Sequence, residues 1–356
     1  MGKYSEFISL KRRSVDTPDD LVKDGKAVFG TFKSEFKTMD LVSTTKPTKY
    51  PQSMNKARLT LWEATEIHLK EGLLLVAVSD MSLMGVTKVV FFDYRSRKVY
   101  TWDNMLKSKD TIIAKNLMDG NKSYAKSKNS EITFINNFES GKAHVFGYSK
   151  TDKDIIEFDY EFEKMSDPSV VSIPFGENRP LYTEKMFFKA EGYTEFNGER
   201  LNSDIFTTSI IDDHRGFYPR RAHYDWLCAQ GMLNDQYIAF NLTRNQSINQ
   251  NDYNENLIWF KDRTSLLPPV TFEKDIKISR LKKEGKQIVH VKDEHGMVDL
   301  TYTIETASAM ITHAVIVNID YYVTFGKING YLLDEDGNKY EFNDYEAIGE
   351  DKTLLF

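Results

Sequence analysis

The feature that most constrains this chain is a succession of short runs rich in β-branched and aromatic residues, closely spaced from residue 58 onward. Arg58-Leu59-Thr60-Leu61 alternates polar and apolar side chains, as a half-buried strand does when successive residues point to opposite faces. Apolar runs at 73–78 and 86–93 flank Asp80-Met81-Ser82-Leu83-Met84-Gly85, and strand patterns continue at 98–102, 132–137, 142–148 and 154–162. A polar stretch with three prolines follows at 165–180, after which strands resume at 185–193, 206–211, 237–243 and 256–261. The last are 298–304, 314–319 and 321–325, with Asp336-Gly337 beyond them as a tight hairpin turn. No segment carries the long 3.6-residue period of a major helix. The pattern predicts an all-β fold with few short helices. Its expected parts are an irregular segment at 1–57 packing on a first β domain at 58–164, a linker at 165–180 and a second β domain at 181–356.

A length of 356 residues suits two domains of roughly 150 residues each. Forty-seven Lys and Arg against 53 Asp and Glu leave a net charge of −6, so no global basic field is present. The basic segments 280–286 and 122–128 lack the interleaved aromatic residues of a base-stacking platform, and no nucleic-acid partner is expected. Cys228 stands alone, which excludes an intrachain disulfide and any cysteine-rich metal site. The seven histidines show neither His-x-His nor His-x-x-x-His spacing, and the glycine-rich nucleotide and nucleophile-elbow motifs are absent. No metal and no cofactor is therefore expected. Lys11-Arg12-Arg13 is followed by no apolar stretch, and the run 73–78 is far shorter than the roughly 20 residues of a spanning helix. The expectation is a cytoplasmic protein without a transmembrane segment; its oligomeric state is left open.

Residues 210–259 concentrate acids, imidazoles, guanidiniums and large aromatics as nowhere else. Asp212, Asp213 and His214 are candidates for proton transfer. In this reading Asp213 is the donor, Asp212 raises its pKa, and His214 orients it or activates water. A carboxyl needs its pKa raised from about 3.9 to hold a proton at neutral pH, and a neighbouring carboxylate and apolar burial both act in that direction. Tyr218, Tyr224, Trp226 and Trp259 are candidate aromatic walls, and Arg215 and Arg221 candidate holders of a polar head group. If the strand at 237–243 pairs with the one ending at Trp259, Asn241 and Glu255 can line one mouth of a pocket. The same charges also suit a structural ion network of Asp212 and Asp213 with Arg215, Arg220 and Arg221, and both readings stay open. Asp80, at the end of an apolar strand, is a further candidate ligand contact, or a turn residue.

The chain resembles the bacterial family catalogued as domain of unknown function 2804. The stretches that carry the likeness are LLVAVSDMSLMGVTKVVFFD at 74–93, YTEKMFFKAEG at 182–192, DHRGFYPRRAHYDW at 213–226, NLT at 241–243, NENLIW at 254–259 and FGKINGYLLDEDG at 325–337. That family is similar in turn to AttH-like proteins and carotenoid 1,2-hydratases. The resemblance implies two lipocalin-like β-barrel domains packed together around a hydrophobic ligand cavity. It also implies a hydrophobic small molecule as partner: an isoprenoid, a sterol-like or a fatty compound. The chemistry of the wider group is acid-assisted hydration, cyclisation or pericyclic reaction. Asp213, His214, Tyr224 and Trp226 sit at places comparable with hydratase residues. Alternatives on the same fold are a non-catalytic lipid carrier or sensor, and an interaction protein with a filled barrel.

Overall fold

The computed structural model describes residues 12–82, 84–313 and 318–355. Lys11, Leu83 and residues 314–317 of the strand expected at 314–319 lie outside the described residues. Strands make up 62% of the described residues and helices 7%, and the strands form one small hairpin and two large sheets, antiparallel but for the parallel pair Ser14–Val15 and Gly30–Phe32. The main path of the first sheet runs Lys98–Lys107, Met84–Asp93, Gly72–Asp80, Thr60–His68, Thr208–Gly216, Pro180–Phe196, Ile155–Lys164, Lys142–Lys150, Ser130–Asn137, Asn121–Lys126 and Thr111–Ile112. It curls until its last strand lies against Gly72–Asp80, a nearly closed barrel whose lumen is filled by side chains such as Val76, Phe134, Phe158 and Phe188. The second sheet is a half-barrel running Arg263–Leu266, Leu257–Phe260, Gln236–Arg244, Arg221–Leu233, Lys339–Leu355, Asn318–Leu333, Val298–His313, Gln287–Lys292 and Thr271–Lys274. Leu227, Phe240, Leu300, Ile328 and Phe342 pack in its hollow.

The sheets do not divide at the expected linker. Ser169–Pro174 is itself a strand, paired with the start of Pro180–Phe196 and with Gly30–Phe32 of the N-terminal segment. Pro174 and Pro180 face each other at the mouth of this hairpin, a strand end where the missing N–H is tolerated. Pro180–Phe196 and Thr208–Gly216 then continue the first sheet, with Thr208–Gly216 inserted beside Thr60–His68. The chain passes to the second sheet only between Gly216 and Arg221. Pro180–Phe196 passes close to its neighbour at Gly192, where a Cβ would meet the Asp159 carbonyl oxygen at 1.9 Å. The hairpin expected at Asp336-Gly337 forms between Asn318–Leu333 and Lys339–Leu355, with Gly337 at φ 81°. Asp334 accepts the N–H groups of Asp336 and Asn338 there at 3.0 and 2.8 Å.

The two sheets pack through their outer faces. Leu73, Leu75, Val90 and Phe92 from the first meet Trp259, Val323, Phe325 and Ile348 from the second. This explains the unbroken apolar run at 73–78: Leu74, Val76 and Val78 fill the barrel lumen while Leu73 and Leu75 face the other sheet. Each such side chain contributes about 1.5–3 kcal/mol on burial. Arg12 ties the N-terminal segment across both sheets, donating to Thr31 Oγ1 at 3.0 Å and to Asn254 Oδ1 and the Asn256 carbonyl at 2.8 and 2.7 Å. No helix among the described residues is long and apolar enough to cross a membrane.

Candidate functional site

Beside this packing the sheets part around a cavity of about 120 Å³. It lies between the two sheets, whereas the barrel lumen, where a lipocalin-like ligand would be sought, is filled. Its walls come from Thr60–His68, Gly72–Asp80 and Thr208–Gly216 on one side and from Arg221–Leu233, Asn318–Leu333 and Lys339–Leu355 on the other.

Strand geometry separates the acid cluster. Neighbouring residues of Thr208–Gly216 point to opposite faces, so Asp212 and His214 face the cavity while Asp213 and Arg215 face the barrel lumen. The expected Asp213–His214 pair therefore does not form on the cavity wall. Asp213 is fully buried and accepts Arg215 Nε at 2.6 Å and Nη2 at 3.0 Å, while Arg215 Nη1 donates to the Lys115 carbonyl at 2.7 Å. Burial raises the Asp213 pKa against the pull of Arg215, and Asp212 contributes only a minor part. Glu63 shares this lumen, accepting from Asn136 Nδ2 at 2.7 Å and from the Ser123 hydroxyl. On this face Arg215 is taken up by Asp213 and the Lys115 carbonyl, away from the cavity wall.

On the cavity face, Lys185 Nζ lies 2.6 Å from Asp212 Oδ2, 3.1 Å from His214 Nε2 and 3.4 Å from Glu255 Oε2. His214 Nε2 is 2.9 Å from Asp212 Oδ1, off the line of a straight hydrogen bond, and 3.1 Å from Thr183 Oγ1. Burial pushes the Asp212 pKa up, but the combined pull of His214 and Lys185 wins and holds it at about 2. Asp212 is thus an ionised carboxylate whose charge adds little to the Asp213 shift. Lys185 is driven above its ordinary pKa because Asp212 and Glu255 outweigh its burial. Glu66 is the opposite case. Burial, reinforced by the charge of Asp212, raises its pKa well above the ordinary value, and Oε2 has no hydrogen-bond partner among the described residues.

Aromatic rings close the wall. Trp62 stacks on His214 with centroids 4.5 Å apart and planes 12° apart, and on Tyr218 at 5.8 Å and 17°. Tyr218 and Tyr224 line the cavity with centroids 6.0 Å apart. Trp226 lines it too and donates Nε1 to Asn241 Oδ1 at 2.7 Å. Glu255 reaches the cavity, accepting from Thr183 at 3.3 Å and Asn245 at 3.2 Å.

Four candidates stand elsewhere. Asn241 braces the sheet, donating to the Glu255 carbonyl at 2.9 Å. Trp259 packs in the apolar contact between the sheets, and Arg221 is exposed at a strand end. Asp80 holds a turn, accepting the Ser82 N–H at 2.7 Å and the Ser108 hydroxyl at 2.9 Å. Away from the cavity, His223, Asp225 and Asp351 cluster closely enough for a cation. The Lys274 ammonium already bridges Asp225 and Asp351, 2.7 Å from the latter.

Sequence reasoning missed Trp62, Glu66, Lys185, Tyr321, Glu350 and Lys352, all on the cavity wall. The signal for several of them is a charge inside an apolar strand: Glu66 in LWEATEIHL and Lys185 in YTEKMFF.

In overall fold the chain is similar to the crystal structure of kievitone hydratase from Nectria haematococca, with a TM-score of 0.51 and 12% identity over 83% of this chain and 88% of that one. A putative AttH from Nitrosomonas europaea aligns over 86% of this chain and 96% of its own at 12% identity and a TM-score of 0.47. Among curated proteins, none matches the sequence. The family model of the domain of unknown function DUF2804 matches residues 12–356, nearly the whole chain, and the protein belongs to that family.

Proposed function

We propose that the cavity between the sheets binds an apolar small molecule carrying a double bond, such as an isoprenoid, sterol-like or fatty compound, and moves protons on it as a hydratase or isomerase. One observation carries this reading. Glu66 Oε2, His214 Nδ1, Tyr218 Oη and Tyr224 Oη are buried without a well-aligned partner among the described residues, and all four belong to residues lining this cavity. An unpaired buried polar atom costs about 1–3 kcal/mol. Four around one space call for a guest with polar atoms of its own, or for water to be added to it.

The roles divide by environment, because titratable groups set in different surroundings can supply acid and base in one site. Glu66, kept neutral by burial, is the acid; His214, braced by ionised Asp212 and Lys185, is the base. In hydration Glu66 gives its proton to one alkene carbon, and the π pair forms the new C–H bond. The water oxygen bonds to the other carbon and its released proton passes to His214. Return of that proton to Glu66 through water restores both groups, for a net addition of water. In isomerisation His214 takes the proton from a neighbouring carbon instead. Side chains relay every proton, and the hydratase that shares this fold supports the reading by analogy.

Native mass spectrometry of freshly purified protein, with solvent extraction and identification of anything bound, tests the proposal. A stoichiometric apolar compound is expected. Glu66→Gln should then slow its turnover by a factor of about 10²–10⁴. A protein that is empty and takes up no isoprenoid or fatty acid from a panel overturns the reading.

A further inference from the structure

Three lysines reach the cavity wall, and they are not equivalent. Lys88 is paired with Asp103 at 3.0 Å and Lys185 with Asp212 at 2.6 Å, whereas Lys352 has no such partner among the described residues. Its side chain is buried, the residue being only 8% exposed. Rings surround its ammonium: Nζ lies 4.4 Å from the centroid of Tyr321, 5.0 Å from Trp62 and 5.5 Å from Tyr224. Tyr224 and Tyr321 are its cross-strand neighbours on either side, so the sheet register itself builds the cage. Glu350, two residues along the same strand, makes no ion pair with it: that carboxylate accepts the hydrogen bond of the Tyr321 hydroxyl and acts on Lys352 only at longer range.

Ring faces attract a cation but carry no formal negative charge, and they replace only part of the hydration that an ammonium loses on burial. We propose that Lys352 is the binding point for a negatively charged oxygen of the ligand, in the first instance a carboxylate, whose apolar body lies along Ala64, Leu75 and Ala77 of the facing wall. The assignment rests on the ligand-binding reading above and narrows it. It restricts the guest to a compound that carries a carboxylate as well as the double bond, and the bound anion offsets the Lys352 charge. Burial against the rings also depresses the Lys352 pKa, with Lys88 adding to the effect and Glu350 opposing it, and a bound anion reverses that shift.

The test is calorimetric titration of the whole protein at pH 7.5 with dodecanoate and with cinnamate, each beside its uncharged primary amide. The two acids distinguish a chain-like from a ring-like body. Wild type should bind the better acid at least tenfold more tightly than its amide. Lys352→Met should bring that ratio near one while leaving the amide affinity within about threefold, and Lys352→Arg should keep the preference. Thermal unfolding of each variant, within a few degrees of wild type, shows that the fold is retained. Binding of acids and amides alike by wild type, or an unchanged ratio in Lys352→Met, overturns the Lys352 assignment and leaves the cavity reading standing. Binding of none of the four probes overturns both.

Discussion

Replacing Asp213 by Asn should weaken the fold and spare the cavity, although its neighbour Asp212 is a cavity residue. Asp213 is fully buried and holds Arg215 through two charge-assisted hydrogen bonds of 2.6 and 3.0 Å. Asn keeps one acceptor but turns an amide NH₂ toward a guanidinium, so one bond is lost and two donors collide. Removing one partner of a buried ion pair costs about 3–5 kcal/mol. The retained acceptor and the carboxyl groups of Glu35 and Glu63, which also act on Arg215, bring this to about 2–4 kcal/mol. With a urea m-value of about 3 kcal/mol per M, the unfolding midpoint should fall by about 1 M. Tryptophan fluorescence and circular dichroism in urea read that midpoint, and titration of bound ligand below the transition reads the cavity. Ligand affinity in Asp213→Asn should stay within about threefold of wild type. Asp212→Asn, which takes a carboxylate from Lys185 and His214, should lower turnover on the order of 100-fold. An Asp213→Asn protein as stable as wild type but unable to bind or turn over ligand would refute the division of faces.

Glu63 is held up to about 7 by burial first and by Asp213 second, against Ser123, Asn136 and Arg215. Its folded pKa being raised, its contribution is full below its unfolded pKa of about 4.3 and is lost as pH rises through 7. Glu63→Gln should thus be neutral at pH 4 and stabilising by on the order of 2–3 kcal/mol at pH 8, read from urea midpoints at the two pH values. Trp62→Ala removes the rings stacked on His214 and Tyr218 and should weaken ligand binding on the order of tenfold by calorimetry. Calcium or zinc should leave the wild-type melting temperature unchanged, because Lys274 fills the space among His223, Asp225 and Asp351, whereas Lys274→Ala should make it respond to the cation.

By itself the sequence determined what depends on neighbours along the chain. Period-2 patterns and β-branched runs specify strands, and Asp336-Gly337 specifies its hairpin because a positive φ is a local demand. The crowding of Asp212, His214, Tyr218 and Tyr224 also pointed to the stretch that reaches the cavity. Alternation alone establishes that Asp212 shares a face with His214 and Asp213 with Arg215. It does not say which pair meets a ligand, because every residue of Thr208–Gly216 is buried and neither side is marked by polarity. That choice belongs to the tertiary structure. The register of Thr60–His68 against Thr208–Gly216 sets Trp62 beside His214, Ala64 beside Asp212 and Glu63 beside Asp213. Packing of the second sheet then turns one face into a cavity wall and leaves the other as lumen. Lys352 meets Trp62 only through that packing, between residues far apart in the chain, and no local pattern encodes the meeting.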